Sequence, residues 1–393
     1  MVITEATQRF ITTHINDDVR SLALKGCTDP EVDVAFALQQ ISGRQQIKQK
    51  LPQFYHNLQL ILPVRLSLEQ CSSEETAAFK AKIIRGTHLM DLTGGFGIDC
   101  LSLADNFNTI DYIERNQELY TIARHNFNLL GKKHIHSHNG DGIDFLSTHT
   151  EADVIYLDPA RRDKIGGKVV QISDCEPNII EHLPLLIHNK RHVWVKLSPM
   201  LDLSQALHSL PVKEAYIISV KNECKELLLH LHEDTSSTPV IHAVELQGET
   251  HSTFSFTTEE EQACPCTLSE HIDHYLYEPG SSIMKAGGFK LYAQRLNLQK
   301  LDTNSHLYTS PHYTDNHQGK CFRVISCHNM DKKSIKQLRT TCSQCTIATR
   351  NFPISAEDLR KKLNIKEGGT QHLFGTTYQG KHILILTERI THS

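Results

Sequence analysis

Apolar residues recur at helical spacing from early in the chain. Over residues 31–45, Val32, Val34, Ala35, Leu38 and Ile41 follow that spacing, which predicts a helix with Asp29 at its cap and Pro30 in its first turn. Residues 45–58 continue in the same style. Ser72 followed three residues later by Glu75 has the spacing of a capping box, so a further helix is expected from there to about Ile84. From His88 the pattern changes to short apolar runs alternating with amphipathic stretches. Strands are expected at 88–92, 109–113, 134–137, 153–157, 193–197, 215–220 and 226–232, with helices such as 117–130 and 177–187 between them. This alternation predicts a parallel sheet covered on both faces. The last two strands are separated only by residues 221–225, too few for a crossover, so they form a hairpin and one edge becomes antiparallel.

Residues 236–239 and 257–265 read as boundaries flanking two more strands, 240–247 and 252–257. Beyond residue 273 a small unit is expected to hold a helix at 281–296 and a strand at 306–309. The final block, 322–390, reads strand, helix, strand, helix, strand, strand, with its helices at 332–342 and 355–363. No internal repeat or low-complexity tract interrupts this order.

Chemistry concentrates first in Leu89-Met90-Asp91-Leu92-Thr93-Gly94-Gly95-Phe96-Gly97. A strand ends in an acid and enters a glycine-rich turn before a helix, at the carboxyl end of a parallel strand where such sheets bind ligands. A dinucleotide site requires G-x-G-x-x-G. Here Gly95-x-Gly97 is followed by Ile98, Asp99 and Cys100, so the third glycine is missing. Asp91 with glycines four and six residues later fits a site for S-adenosylmethionine (AdoMet), which has no diphosphate and carries a cationic amino-acid end. Thr93 lies within the same turn. Glu114 ends the second strand and can accept from both ribose hydroxyls. Asp141 follows the third strand and can accept from an adenine amine, while Gly142 can bring a backbone N–H to the ring. Singly, Glu114 is a common helix N-terminal acid and Asp141 an ordinary turn residue. Their occurrence in this order at successive strand ends is what singles them out.

Tyr156-Leu157-Asp158-Pro159-Ala160-Arg161-Arg162 ends the fourth strand. Residues 91–97 together with Asp158-Pro159 resemble the class I nucleic-acid methyltransferases, whose fourth motif is Asp-Pro-Pro-Tyr or Asp-Pro-Pro-Arg. Residues 69–77, Val195-Lys196-Leu197-Ser198-Pro199, Glu278-Pro279-Gly280, 283–287 and Asn351-Phe352-Pro353-Ile354-Ser355 resemble a bacterial group of these enzymes with a ferredoxin-like insert and a THUMP-like C-terminal domain. The resemblance spans nearly the whole chain. It implies an α/β protein with a Rossmann-like, mostly parallel seven-stranded sheet, a helical region at 1–85 and an AdoMet-dependent methyltransferase domain at 86–235. A linker plus small ferredoxin-like domain would follow at 236–318, and a basic α+β THUMP-like domain at 319–393. It also implies that Asp158 and Pro159 position the methyl acceptor and that Asp91, Thr93, Gly95, Gly97, Glu114, Asp141 and Gly142 hold AdoMet.

Two departures from the family pattern bear on the substrate. The stacking aromatic of the amine methyltransferases is replaced by Arg161, so that Arg161 or Arg162 becomes the candidate to stack on a base or bind phosphate. Enzymes that methylate pyrimidine carbon 5 need a cysteine nucleophile after the fifth strand. Ser198 stands there and Cys175 does not match, which disfavours that chemistry. Lys196, beside Ser198, is a candidate contact to substrate phosphate, against the plain reading of a strand-end lysine reaching solvent. Asn222 and Glu223, at the same edge, rank below it. Ser72 and Ser73 resemble a segment touching the methionyl end of AdoMet, although capping explains them equally.

Charge adds a partner. The chain carries a net −4, but residues 320–393 hold 13 basic against 5 acidic side chains. Lys332, Lys333, Lys336 and Arg339 fall on one expected helix. With the THUMP-like resemblance, RNA becomes the expected polyanion, contacted mainly through phosphate. Cys342 and Cys345, with Cys321 and Cys327 upstream, are the one cysteine group that invites zinc. Five residues separate Cys321 from Cys327, a poor spacing, and no metal is expected. With no secretion signal at the start and no apolar run near the roughly 20 residues of a membrane span, a soluble cytoplasmic protein is expected. The reading is an AdoMet-dependent RNA methyltransferase. Its competitors are an inert RNA-binding protein retaining the fold and a small-molecule methyltransferase.

Overall fold

The computed structural model describes residues 3–161, 172–234, 237–315 and 317–390. The chain divides into two compact units, Met1–Ala215 with Glu226–Ser237, and Tyr216–Lys225 with Thr238–Ser393.

In the first unit six helices precede the sheet: α1 Glu5–His14, α2 Val19–Lys25, α3 Val34–Ile47, α4 Pro52–His56, α5 Arg65–Gln70 and α6 Glu74–Ile83. Several boundaries differ from expectation for local reasons. Asp33 caps α3 by accepting from Phe36 N–H, whereas Asp29 accepts from Glu31 N–H in the preceding turn. The helical pattern of residues 45–58 is broken because Leu51 precedes Pro52, a position that disfavours helix, and Pro52 then opens α4. Ser73, not Ser72, caps α6, accepting from Thr76 N–H. Ser72 is thereby released toward the interior.

The strands β1 His88–Asp91, β2 Thr109–Glu114, β3 Ile135–Asn139, β4 Val154–Leu157 and β5 His192–Leu197 alternate with α7 Ile98–Leu103, α8 Gln117–Leu129, α9 Gly142–Thr148 and α10 Ile179–Leu186. After α11 Leu203–Ser209, β6 Val212–Val220 and β7 Glu223–Leu231 form the hairpin. The order is β7-β5-β4-β1-β2-β3, parallel except that β7 runs antiparallel to β5, with β6 beyond β7. The expected seven strands are all present. Two more strands, β8 Val240–Gln247 and its antiparallel partner β9 Thr250–Thr257, belong to the second unit, so the described strands outnumber the seven anticipated for the sheet.

The second unit, which includes the hairpin tip Tyr216–Lys225, continues with α12 Thr258–Ala263, β10 Tyr275–Pro279, α13 Ser281–Ala286, α14 Phe289–Arg295 and β11 Tyr308–Ser310. The single helix expected over 281–296 is split. Gly287 takes a left-handed conformation (φ 84°) that closes α13, and a β-carbon on Gly288 would lie 2.7 Å from the Phe256 ring. The terminal block comprises β12 Gly319–Asn329, α15 Lys332–Thr341, β13 Thr346–Arg350, α16 Ala356–Leu363, β14 Gln371–Tyr378 and β15 Lys381–Ile390. One sheet runs through both parts, in the order β11-β10-β12-β15-β14-β13, with the short edge strand Gln299–Lys300 paired outside β11 and Leu276 of β10 opposite Phe322 of β12. No helix among the described residues is long and apolar enough to cross a membrane.

The helical region is tied to the sheet by buried polar side chains. Asn126 on α8 accepts from Ile61 N–H and donates to Ile61 C=O, both at 2.9 Å. Gln40 does the same for Leu62, at 2.9 and 2.8 Å. Arg44, 1% exposed, donates to the carbonyls of Phe54, Asn57, Leu58 and Leu60 at 2.7–3.2 Å. Its burial lowers the guanidinium pKa to about 10, with Tyr55 acting weakly against that shift, so it stays charged. Replacing Arg44 by Met would leave these carbonyls without partners. Arg44→Met is expected to lower unfolding free energy by roughly 3 kcal/mol or more, measured by urea titration. A loss below about 0.5 kcal/mol, the scale of an ordinary surface change, would contradict this role.

Candidate active site

The glycine turn between β1 and α7 is closed from several sides. A side chain on Gly94 would place its β-carbon 2.1 Å from the Tyr112 ring, and one on Gly97 (φ 83°) would lie 2.7 Å from Phe127. Gly95 N–H donates to Glu114 Oε2 at 2.7 Å, and Asn116 N–H donates to Glu114 Oε1 at 2.6 Å. Glu114 therefore fixes the turn while each oxygen keeps further acceptor capacity. Thr93 Oγ1 accepts from Asp158 N–H at 2.6 Å, joining the first motif to the fourth, and Asp91 Oδ1 accepts from Thr93 N–H at 3.2 Å. Phe96 packs edge-on against Phe54 at 5.3 Å in a cluster shared with Ile47, Leu51 and Leu62, so the helical region supports the turn from behind.

Gly142 is buried against the end of β1. An added β-carbon would lie 2.1 Å from the Leu92 carbonyl oxygen, so only glycine fits. Asp141 is exposed and caps α9, accepting from Ile143 N–H at 2.8 Å and Asp144 N–H at 3.2 Å. Pro159 is buried. The backbone of Arg161 pairs with Cys175, while Arg162 lies outside the described residues.

The centre of the site is a buried ionic network that the sequence only partly discloses. Lys196 Nζ lies 2.5 Å from Asp158 Oδ2, 3.5 Å from Asp99 Oδ2 and 3.2 Å from Ser72 Oγ. Lys80, fully buried on α6, reaches Glu226 Oε1 at 2.7 Å, Asp99 Oδ1 at 3.1 Å and Ser72 Oγ at 3.0 Å. Asp99 Oδ2 also accepts from Ser72 Oγ and the Tyr156 hydroxyl, each at 2.8 Å. Lys196 is thus no solvent-facing strand-end residue. Its ammonium is occupied inside the protein and is not free for a phosphate. Ser72 is likewise bound within the network. Burial by itself would raise Asp99, but the ammoniums of Lys80 and Lys196 hold it below the usual carboxylate range. Burial by itself would lower Lys196, but Asp158, Asp99 and Glu226 outweigh it and hold the ammonium protonated. Asp91 is pushed well above the usual range, first by burial and then by the neighbouring charges of Asp99, Asp158 and Glu114.

Lys80 and Glu226 escaped the sequence reading because neither sits in a motif. One signal was available: Lys80 falls on the stripe of Thr76, Ala77 and Phe79 that α6 buries, where an unpaired lysine is rarely tolerated. In the second unit Lys332, Lys333 and Lys336 are exposed on α15. Arg339, grouped with them from sequence, instead donates to the carbonyls of Leu363 (2.7 Å) and Lys362 (2.9 Å) at the end of α16. Asn222 accepts from Ser281 N–H at 2.9 Å and belongs to the second unit. Cys321, Cys342 and Cys345 are buried and Cys327 exposed, and among the described residues no three His, Cys, Asp or Glu side chains are grouped as a metal site requires.

A parallel sheet with an antiparallel β7, an acid-tipped glycine turn and an Asp-Pro at the end of β4 together define a class I methyltransferase fold. Residues 319–389 match the THUMP domain-like family and residues 275–316 a ferredoxin-like domain family. The solved structure of a candidate methyltransferase from Porphyromonas gingivalis W83 is 36% identical, covers all of both chains and superposes with a TM-score of 0.88. The chain belongs to this family of bacterial class I methyltransferases with ferredoxin-like and THUMP-like domains. Looser, partial overlaps include a methyltransferase from Geobacter sulfurreducens (14% identity, 55% of this chain and 97% of that one, TM-score 0.32). Another is M. capricolum TrmK in complex with S-adenosyl-homocysteine (17% identity, 40% and 68%, TM-score 0.30). No protein of curated function matches.

The raised pKa of Asp91 has a thermodynamic consequence. The folded chain retains a proton that the unfolded chain releases above about pH 3.9. The stability this group contributes is complete below that pH and is lost as pH rises through the folded pKa. Wild type should therefore lose stability relative to Asp91→Asn as pH rises from about 4 to 8, measured by urea unfolding of both proteins. Parallel pH curves would contradict the assignment.

Proposed function

We propose that the protein is an AdoMet-dependent methyltransferase acting on RNA. The observation that carries this reading is the convergence of Asp91, Glu114, Gly142 and Asp158 at the carboxyl ends of adjacent parallel strands, in a chain 36% identical over its full length to a candidate methyltransferase. The donor set suits AdoMet. Among Lys80, Lys196, Asp99, Asp158 and Glu226 the carboxylates outnumber the ammoniums by one, before Glu114 is counted, which suits a cationic ligand. A side chain at Gly142 would fill the cradle. Asp91 faces the amino-acid end, Glu114 receives the ribose hydroxyls, and Asp141 and Gly142 border the adenine. Thr93, Gly95 and Gly97 shape the turn. When bound, AdoMet supplies an activated methyl group.

The chain's own residues do the rest. Thr93 fixes the backbone of Asp158, Lys196 fixes its side chain, and Pro159 stiffens the next peptide, so that the acceptor is oriented before reaction. The exposed lysines of α15 in the THUMP-like domain supply phosphate contacts, and Arg161 and Arg162 are further candidates to touch the nucleic acid.

Mass spectrometry of nucleosides from cells with and without the gene should show one methylated nucleoside lost, and unchanged methylation would contradict an RNA substrate. Asp158→Ala should reduce methyl transfer at least about a hundredfold, the scale of a lost positioning contact, while AdoMet affinity stays within about threefold by calorimetry. Loss of AdoMet binding in that variant would assign Asp158 to the cofactor instead.

A further inference from the structure

A chain of hydrogen-bonded side chains crosses the antiparallel edge of the first unit. His192, Trp194 and Lys196 alternate along one face of β5, and Trp194 stands opposite His230 of β7 in register. His230 Nδ1 lies 2.9 Å from Glu214 Oε2 near the start of β6, and His230 Nε2 lies 2.9 Å from His192 Nδ1. The His230 ring lies flat on the Trp194 indole, with centroids 4.3 Å apart and planes within 3°. His232 stacks on His192 at 4.8 Å. His230 and Trp194 are both buried. Glu214, His230 and His192 thus join β6, β7 and β5 in turn.

The geometry limits how many protons this chain can hold. An ionised carboxylate only accepts, so His230 Nδ1 carries a proton toward Glu214. A bond between two ring nitrogens needs one proton between them. Two neutral rings satisfy it, with His192 Nδ1–H donating to His230 Nε2. One imidazolium also satisfies it, whichever ring carries the charge. Two imidazoliums do not, because both facing nitrogens then bear protons and two cations meet at 2.9 Å. We infer that the Glu214–His230–His192 chain is an acid-sensitive clasp that seats β7 and the start of β6 on β5, and that charging both imidazoles opens it. Lys196 and Glu226, toward the other end of the same two strands, belong to the ionic network, so β5 and β7 carry one polar fastening at each end. The clasp goes beyond the methyltransferase reading and does not depend on which ligand the glycine turn accepts.

The surroundings resist the second proton near neutrality. Burial holds His192 below the usual histidine range, and the positive charges of His230, His232 and Lys213 act in the same direction, against Asp153. The charged and titratable groups around His192 are therefore Lys213 and Glu214 from β6, His230 and His232 from β7, and Asp153 ahead of β4. Arg191, next in the chain, donates instead to the carbonyls of Leu185 and Thr150. Because His192 is lowered in the folded chain, below about pH 6.5 the unfolded chain takes up a proton that the folded one excludes. The stability this group contributes is full above that pH and is lost as pH falls through the folded value.

Trp194 is the one tryptophan of the chain and reports on the clasp directly. Full-length protein titrated from pH about 7.5, above the ordinary histidine range, to about 4.5, near the ordinary carboxylate range, should show a reversible red shift of tryptophan emission as the indole gains water. Hydrogen exchange read by mass spectrometry and corrected for intrinsic rates should show β7 exchanging at least about tenfold faster at the acid end, while β1 and β2 keep their protection. His192→Gln keeps an amide to donate to His230 Nε2 but cannot become a cation, and it should remove both changes. A wild type whose emission and β7 exchange stay flat overturns the inference. Simultaneous loss of protection in β1 and β2 also overturns it, since that is global acid unfolding. So does a His192→Gln protein that responds as wild type does. If that variant does not fold, imidazole nitrogen NMR spectra of wild type decide. A second imidazolium that appears together with faster β7 exchange supports the clasp, and two imidazoliums at pH about 7.5 with β7 still protected overturn it.

Discussion

Two ammonium groups and three carboxylates meet in a volume almost closed to water, and the architecture of the first unit is arranged around keeping them paired. Lys80 comes from α6, Asp99 from α7, Asp158 from the end of β4, Lys196 from β5 and Glu226 from β7. Five elements separated along the chain are thus tied at one point, beside the turn that the first motif builds. Removing any one partner leaves a buried charge uncompensated, at a cost of about 3–5 kcal/mol, whereas the intact cluster contributes little net stability. Its value lies in specifying geometry: the positions of Asp158 and of the turn follow from it.

The rest of the unit supports this point. The helical region before the sheet packs Phe54 behind Phe96 and is itself fixed by Arg44, Gln40 and Asn126, each satisfying backbone groups of the segment between α4 and α5. That segment has no regular structure of its own, so its buried peptide groups depend on side chains for partners. The glycines act from the opposite side. At Gly94 and Gly142 the neighbouring Tyr112 ring and Leu92 carbonyl occupy the space a side chain would need, which brings backbone close to where a flat ligand would lie.

Much of this was legible in the sequence because it is local. The strand–helix alternation, the hairpin at 221–225, the acid at each strand end and the terminal strand–helix order all follow from short-range periodicity and turn chemistry. What escaped was long-range. The Ser72 spacing to Glu75 suggested a capping box, but the cap falls one residue later at Ser73, because Ser72 is drawn to Asp99 from a different element. Lys196 could be placed at the correct edge, yet its partner 38 positions earlier in sequence could not be. Lys80 and Glu226 lie 146 residues apart, beyond the reach of any local pattern. Arg339 shares a helix with three solvated lysines but turns to the carbonyls ending α16, a choice set by packing and not by composition.

The chemistry open to the first unit depends on the ligand that the β1–α7 turn accepts. Equilibrium dialysis of the purified full-length protein against radiolabelled AdoMet and, separately, labelled NAD tests this most directly. The acid-tipped turn, with Cys100 where a dinucleotide site carries its third glycine, predicts saturable retention of AdoMet, displaced by S-adenosylhomocysteine, and none of NAD. Retention of NAD without AdoMet would contradict the account at its foundation.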